Sequence, residues 1–566
     1  MLWHVPGDRN EKGPSSLRFT AARKCVARTS RLTARTILRV DGLLLACICG
    51  FLFFFGLAHF GLVGADEPRY AQVAREMLAR HDWVTPTLGG TPWLEKPVLY
   101  YWEAMLAYSI FGVSDWAARL PSAVDATCMI VAIYFFLRRF RRGAELDGAL
   151  MTASAAGVIG FARAASMDMP LAATFSIALL AWYAWQEDET KSFLAAFYVF
   201  IALGMLAKGP VAPVLVAVIV VAFAFAKGDP RLIRRTLWVP GVLLFCAVAL
   251  PWYAAVQLRN PQFFREFILQ HNLARFGTNQ YHHKAPFWYY VPVTFVALAP
   301  WSVFALAALA RSAAGWWRQR RPLKSDDAFP LFLIIWMIVP LAFFSVAQSK
   351  LPGYIVPAIP AGTLLLADYI RRQRAADERP QFALILLHAM VAAGLMVPAL
   401  LIQYLLAQPR LPWNQATWVS LTIALVLALA IALGLLSRAG FSALRVATMV
   451  PVVLAMAIVL RLGAPALDNR LSARPLANQI ASIDSKRLPI AVFGISRELE
   501  YGLAFYRNQT VSRYEFGQIP TQEHFVVGPA GSQTEIARQV PGRHVSYLGQ
   551  LAPQKLEYFW VAGTEH

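Results

Sequence analysis

Gly64-Ala65-Asp66-Glu67-Pro68-Arg69-Tyr70, followed further on by Trp93-Leu94-Glu95-Lys96-Pro97, is the stretch on which the reading of this chain turns. Directly upstream lies a continuous apolar run, 43–63, with the length of a membrane span. Two carboxylates, Asp66 and Glu67, therefore stand at the mouth of the first span, and an acid–base pair, Glu95 and Lys96, returns soon after. Charges this close to a bilayer edge are costly unless they are used. From Tyr70 onward, Tyr70, Val73, Ala74, Met77 and Leu78 fall on one helical face, and Gln72, Arg75, Glu76 and Arg80 on the other. A helix so short and two-faced is expected to lie on the membrane surface rather than cross it.

The whole chain agrees with that setting. Its 566 residues are 57% hydrophobic and only 15% charged, a polytopic membrane protein rather than a soluble one. A net charge of +20 invites a nucleic-acid partner, but Arg and Lys cluster in short segments between apolar runs, where the positive-inside bias puts them. Nucleic-acid binding is set aside on that ground. The cysteines, Cys25, Cys47, Cys49, Cys128 and Cys246, lie in the N-terminal tail or in apolar runs, so neither a disulfide framework nor a cysteine metal site is expected. Residues 1–40 are basic and carry no apolar core of a signal peptide, which reads as a cytoplasmic tail.

Further apolar runs fall near 121–137, 148–162, 169–185, 192–207, 210–226, 236–256, 287–310, 329–347, 353–370, 381–404, 416–436 and 442–462. With the first they make about thirteen spans of roughly twenty residues. The aromatic segment 97–112 is ambiguous, and sidedness resolves it. If it stays at the interface, the arginine clusters at 138–142, 231–235, 318–324, 371–374 and 438–445 all share the side of the basic N-terminal tail. The odd number of crossings then puts the N-terminus in the cytoplasm and residues 463–566 outside. The loops 64–120 and 258–286 and the turns 163–168, 208–210 and 349–354 share that outer face, where converging polar groups make a site. Beyond 463, short strands are expected at 488–495, 510–514, 524–527, 545–548 and 558–562, and helices at 472–483 and 532–539: a small α/β domain on a helical membrane domain spanning 41–462.

Each polar constellation has an ordinary reading beside the chemical one. Asp66 before Glu-Pro suits a helix cap as well as a catalytic acid, and the N–H groups of a helix start attract phosphate beside Arg69. Adjacent Glu95 and Lys96 form a surface ion pair, or Lys96 reaches a lipid phosphate from a belt of Trp93, Tyr100, Tyr101 and Trp102. Arg163 and Asp168 flank a small-residue turn that suits capping. In the 258–286 loop, His271 and Arg275 share a helix face. Arg275 suits phosphate, as guanidinium forks do. His271 with a carboxylate suits zinc, although a single histidine is ordinarily a structural hydrogen-bonding group. Lys350 and Tyr354, on the turn Ser349-Lys350-Leu351-Pro352-Gly353-Tyr354, suit either a phosphate or interface anchoring. No phosphate-binding P-loop or dinucleotide glycine pattern occurs, so a nucleotide-linked donor is not indicated.

Asp66-Glu67-Pro68-Arg69-Tyr70, Glu95-Lys96-Pro97 with Tyr100-Tyr101-Trp102, Arg119-Leu120-Pro121-Ser122, Lys208-Gly209-Pro210 and Ser349-Lys350-Leu351-Pro352 with Tyr354 resemble the GT-C membrane glycosyltransferases of the protein O-mannosyltransferase superfamily. The span count and an outer domain carrying Tyr501-Gly502-Leu503-Ala504-Phe505-Tyr506 look most like the bacterial undecaprenyl-phosphate aminoarabinose:lipid A transferases. That resemblance implies a multi-pass inner-membrane enzyme. Its donor would be aminoarabinose on undecaprenyl phosphate, its acceptor a lipid A phosphate on the periplasmic face, and its consequence resistance to cationic peptides such as polymyxin. By the same analogy Asp66 matches the acid that the family requires in the first outer loop, and Glu67 and Asp168, carboxylates of the same outer face, join it as catalytic candidates. Arg69, Lys96, Tyr100, Lys208, Arg275, Lys350 and Tyr354 would contact substrate or phosphate. No cofactor is obligatory, and Glu95 with His271 marks where a divalent metal such as zinc could sit. Gly353 departs from relatives that place the aromatic directly after the proline.

The expected chemistry is a single displacement with inversion. A hydroxyl acceptor needs a base, and Asp66 would supply it. A phosphate monoester with a second pKa near 6 needs none, so with lipid A Asp66 instead orients the sugar or binds its amine. The rival enzyme is a transferase of another polyprenyl-phosphate sugar to protein or lipid. A lipid transporter would place polar groups at midplane in repeated, interrupted helices, and no such repeat is visible.

Overall fold

The computed structural model describes residues 38–274, 285–319, 325–408, 410 and 413–564, and is dominated by helices. Two units are distinguished, 1–50 and 51–566; in the first, the described residues 38–49 are helical. All that follows concerns the second.

Beyond the first, every apolar run named above is helical. Eight helices among the described residues are long and apolar enough to cross a membrane, or nine if Phe287–Ala297 and Ser302–Arg318, bent by 117°, form one broken span. The expected thirteen is larger because several segments are broken or unusually polar for a lipid-facing helix. The 148–162 run splits at a kink into Glu145–Ala153 and Ala156–Ala162. Asp168–Asp188 (α4) is buried along almost its whole length, so its Thr174, Ser176 and Trp182 face protein rather than lipid.

The helix Leu99–Phe111 (α2) has 13 residues, roughly 20 Å, too short for a hydrocarbon core of about 30 Å. Asp66–Ala79 (α1) precedes it. Its apolar face is buried in protein, with Val73, Ala74 and Met77 fully enclosed, so that face packs on neighbouring helices. Its polar face is spent on neighbours too. Glu76 accepts from the Thr87 hydroxyl at 2.8 Å and from the Gly89 and Gly90 N–H groups at 2.8 and 3.2 Å, holding the hairpin of β1 (Thr87–Leu88) and β2 (Thr91–Pro92).

Long helices separate two polar ends. Asp115–Phe140 (α3), capped by the Ser114 hydroxyl accepting from the Ala117 N–H, has 26 residues and so spans about 39 Å. Asp115 stands at one end, Arg138 and Arg139 at the other. Likewise α4 carries Asp168 at its start and Glu187 and Asp188 at its end, where Arg141 meets Glu187 at 2.8 Å and Arg139 pairs with Asp188. At this arginine-rich end Asp147 also takes Arg374 at 2.5 Å and Arg445 at 2.9 Å.

The C-terminal region holds a five-stranded sheet of order β4-β3-β5-β7-β6, from β3 (Ile490–Val492), β4 (Ser512–Arg513), β5 (His524–Pro529), β6 (Val545–Leu551) and β7 (Leu556–Val561). The β3 strand runs parallel to β4 and β5, with Ile490 opposite Phe525; β5 runs antiparallel to β7, with Val526 opposite Phe559. All five expected strands and the two expected helices, observed as Arg474–Ile483 and Gln533–Gln539, are present. A helix at Arg497–Arg507 (α6), which strand-like spacing did not announce, packs against the sheet through Leu503.

Candidate functional site

Stretches far apart in sequence converge at the end of the bundle opposite the arginine clusters. Arg119 on α3 is their hub, with a side chain only 1% exposed. Its Nη1 donates to the Leu57 and Phe60 carbonyls at 2.7 and 2.8 Å, its Nη2 to the Gly61 carbonyl at 2.9 Å and to Glu67 Oε2 at 2.7 Å, and its Nε to Glu67 Oε1 at 3.0 Å. All five N–H directions of the guanidinium fork are used. Glu67 also accepts from the Val63 N–H at 2.8 Å and the Ala165 N–H at 2.8 Å. A buried carboxylate with four donors has no lone pair left for a substrate. Glu67, expected among the catalytic acids, is thus a clamp that fixes the 64–70 turn to the 163–168 turn.

That clamp aims Asp66 and Arg69. The α1 helix starts at Asp66 itself, and no side chain caps it, so the capping reading of Asp66 fails. Its carboxylate, 55% exposed, pairs with the Arg69 guanidinium, 14% exposed. Arg69 is enclosed by three rings, Tyr70, Trp93 and Tyr501, whose centroids lie 5.0, 5.3 and 5.8 Å from its central carbon. Burial acts to lower the pKa of this guanidinium, but the Tyr70 phenol and the Asp66 and Glu95 carboxylates outweigh it and hold the charge firmly. The Tyr70 phenol is pushed up by burial first, with Asp66 and Asp168 adding to the effect and Arg69 opposing it. One phenol thus lies in the field of both acids, and the Glu67–Ala165 hydrogen bond ties the turns that open α1 and α4.

Asp168 opens α4 and pairs with Lys208 at the end of Lys191–Lys208 (α5). The Lys208 ammonium lies 4.9 Å from the Tyr354 ring, which packs at a 38° tilt against Phe344. Gly353 closes the arrangement: a Cβ there would stand 2.7 Å from the Asp168 Cγ, closer than atoms pack. A side chain at position 353 therefore has no room while the Asp168 carboxylate stays in place. The Tyr290 hydroxyl braces the turn, donating to the Leu351 carbonyl at 3.1 Å and accepting from its N–H at 3.2 Å.

The remaining expected residues divide. Glu95 is half-buried and its charge reaches Arg69 and Tyr101; Lys96 is half-buried beside it. Tyr100 is fully buried and donates to the Ala118 carbonyl at 2.8 Å, so it braces α2 on α3 instead of meeting a ligand. Lys350, a phosphate candidate by its turn, is buried and its ammonium donates to the Ala347 carbonyl at 2.6 Å. Arg275 lies outside the described residues, as does the side chain of His271, whose backbone belongs to the helix Phe264–Ala274. Among the described residues no three His, Cys, Asp or Glu side chains gather as metal ligands, and the Glu95–His271 pairing offered as a metal position lies partly outside those residues. Sequence reasoning gave no site role to Arg119 or Tyr501, and to Trp93 only that of an interface aromatic. The signal was there in the Arg-Leu-Pro-Ser, Trp93 and Tyr501-Gly502 pieces, each quoted for its pattern alone.

Comparison with known proteins places this geometry. Residues 95–254 match the family described as dolichyl-phosphate-mannose-protein mannosyltransferase. An undecaprenyl phosphate-alpha-4-amino-4-deoxy-L-arabinose arabinosyl transferase of Aeromonas salmonicida is 30% identical over 457 residues, 77% of this chain and 80% of that relative. One of Serratia proteamaculans is 34% identical over 54% of each chain. The crystal structure of ArnT from Cupriavidus metallidurans bound to undecaprenyl phosphate superposes with a TM-score of 0.73 at 23% identity, covering 92% of this chain and 97% of that one. The apo form of the same protein gives 0.74, and both matches establish the fold. With 30% identity over 77% of its own length and four-fifths of the Aeromonas salmonicida relative's, the chain belongs to the family of undecaprenyl phosphate-alpha-4-amino-4-deoxy-L-arabinose arabinosyl transferases.

Proposed function

We propose that this protein transfers 4-amino-4-deoxy-L-arabinose from undecaprenyl phosphate to a phosphate of lipid A, on the periplasmic side of a bacterial inner membrane. The consequence is a less anionic envelope and resistance to polymyxin and similar cationic peptides. Family membership supports the donor and the sugar. The observation that carries the chemistry is that two acid–base pairs, Asp66 with Arg69 and Asp168 with Lys208, stand on two turns bridged by Glu67, which accepts from the Ala165 N–H. Each pair offers a cation for a phosphate oxygen and a carboxylate for sugar hydroxyls or amine.

In this reading an acceptor phosphate oxygen attacks the anomeric carbon, and the bond from that carbon to the carrier phosphate breaks. The carrier leaves as undecaprenyl phosphate, its growing charge met by Arg69 and Lys208. A phosphate acceptor brings its own nucleophilic oxygen, so Asp66 orients the sugar and holds its ammonium. One displacement inverts the anomeric centre; a product that retains its configuration rules this out. Residues 463–566 form the periplasmic domain and residues 1–40 the cytoplasmic tail.

The deciding experiment supplies purified protein with the undecaprenyl-phosphate sugar and either lipid A or a peptide acceptor. Label in lipid A supports the reading. Label only in peptide transfers the assignment to a protein glycosyltransferase.

A further inference from the structure

Tyr501 belongs to α6, in the C-terminal domain, yet its ring stands 5.8 Å from the Arg69 guanidinium carbon. That position is fixed from several sides. One turn further along α6, the Phe505 carbonyl accepts from Arg75 of α1 at 2.8 Å. The adjacent Tyr506 hydroxyl donates to Asp115 at 2.6 Å and accepts from the Leu62 N–H at 2.7 Å. Asp115 in turn holds Arg474 at 2.9 Å, and Arg474 holds Asp468 at 2.8 Å. Gly502 lets α6 close on the preceding helix, since a Cβ there would stand 2.6 Å from the Ala473 Cβ. These attachments fix the stretch of α6 backbone that carries the Tyr501 ring beside Arg69.

We propose that Tyr501 is a positioning residue of the transfer site, so that the C-terminal domain completes the site rather than merely covering it. This rests on the glycosyl-transfer reading above. Tyr70 and Trp93 wall two sides of the guanidinium, and both come from the first loop. Tyr501 is the third wall. Arg69 Nη2 is engaged by Asp66 and the Tyr70 hydroxyl, while the buried Nε has no hydrogen-bond partner among the described residues. Ring faces attract a guanidinium but take none of its in-plane N–H groups. A guanidinium held this way keeps its fork in one orientation and stays able to donate to a phosphate oxygen. Without the third ring, Arg69 is free to turn outward, and Asp66 loses the partner that sets its angle.

The test uses the full-length protein with Tyr501→Ala, Tyr501→Leu and Tyr501→Phe. Leu fills the volume without a π face; Phe keeps the face. One arm measures modification of Arg69 by phenylglyoxal, read by peptide mass spectrometry, which needs no turnover. The other measures kcat and KM for the carrier-linked sugar. The Ala and Leu variants should each label Arg69 severalfold faster and lose about tenfold in kcat/KM, chiefly through KM, while Phe restores both to within about twofold. If Ala and Leu match wild type in labelling and in KM, the inference is wrong. If wild type transfers no sugar but labelling follows the expected order, the glycosyl-transfer reading fails and the positioning role stands.

Discussion

Lys208 closes on Asp168 across forty residues of sequence, joining the end of α5 to the start of α4, and the pair lies directly against Gly353. Any side chain at 353 must displace the Asp168 carboxylate. Gly353→Ala should therefore lower kcat/KM by about 100-fold, since displacements near 1 Å at a reacting centre cost that much. Steady-state transfer assays measure it, alongside a thermal unfolding curve to show that the fold persists. Wild-type kinetics from Gly353→Ala would remove Asp168 from the site.

The Glu67–Arg119 clamp makes a different prediction, about stability. Removing either partner leaves an uncompensated buried charge, which costs about 3–5 kcal/mol. Arg119→Ala and Glu67→Ala should both lower the thermal midpoint sharply, and Arg119→Lys should not rescue it, because a lysine cannot reproduce the five-donor fork. Fluorescence-detected thermal unfolding in detergent reads the effect. A Glu67→Ala protein that is stable but inactive would instead return Glu67 to catalysis.

Much of this fold was legible from sequence because lipid and core both select on simple period and length. The apolar runs became helices, and alternation in the tail became a five-stranded sheet. What sequence could not supply was which side of a helix meets protein. Gln72, Arg75 and Glu76 form a polar face by spacing, yet the face docks the β1–β2 hairpin and the C-terminal domain instead of water. Tyr100 and Tyr101 sit in an aromatic belt by composition, but tertiary packing buried both. Asp66, Arg69, Asp168 and Lys208 were picked out as charges at span ends, a one-dimensional signal. The Tyr501–Arg69 contact is 432 positions apart and depends on how one domain docks on another, which no local pattern encodes.

The C-terminal domain should be acid-sensitive through His524. Its Nδ1–H donates to the Gln522 carbonyl at 2.8 Å, so Nε2 accepts from the Tyr514 hydroxyl at 2.6 Å. Burial, opposed by the Gln522 carbonyl and aided by Arg543, lowers its pKa to about 4 from the ordinary 6.5. The folded state thus favours the neutral ring, while the unfolded state takes up a proton between those values. The stabilisation is complete above pH 6.5 and is lost as pH falls toward 4. It amounts to at most about 3 kcal/mol. Thermal midpoints measured across that range should fall with acidity, and His524→Gln should flatten the dependence. An unchanged slope in the variant would show that another group titrates.

The central claim is that the exposed carboxylate beside Arg69 works on the sugar as it leaves its carrier. The most direct measurement is transfer to lipid A by purified Asp66→Asn, paired with polymyxin survival of cells expressing it at the wild-type level. Asp66→Asn should lose about 100-fold or more in transfer rate and fail to protect. Undiminished transfer and survival from normally expressed protein would contradict it.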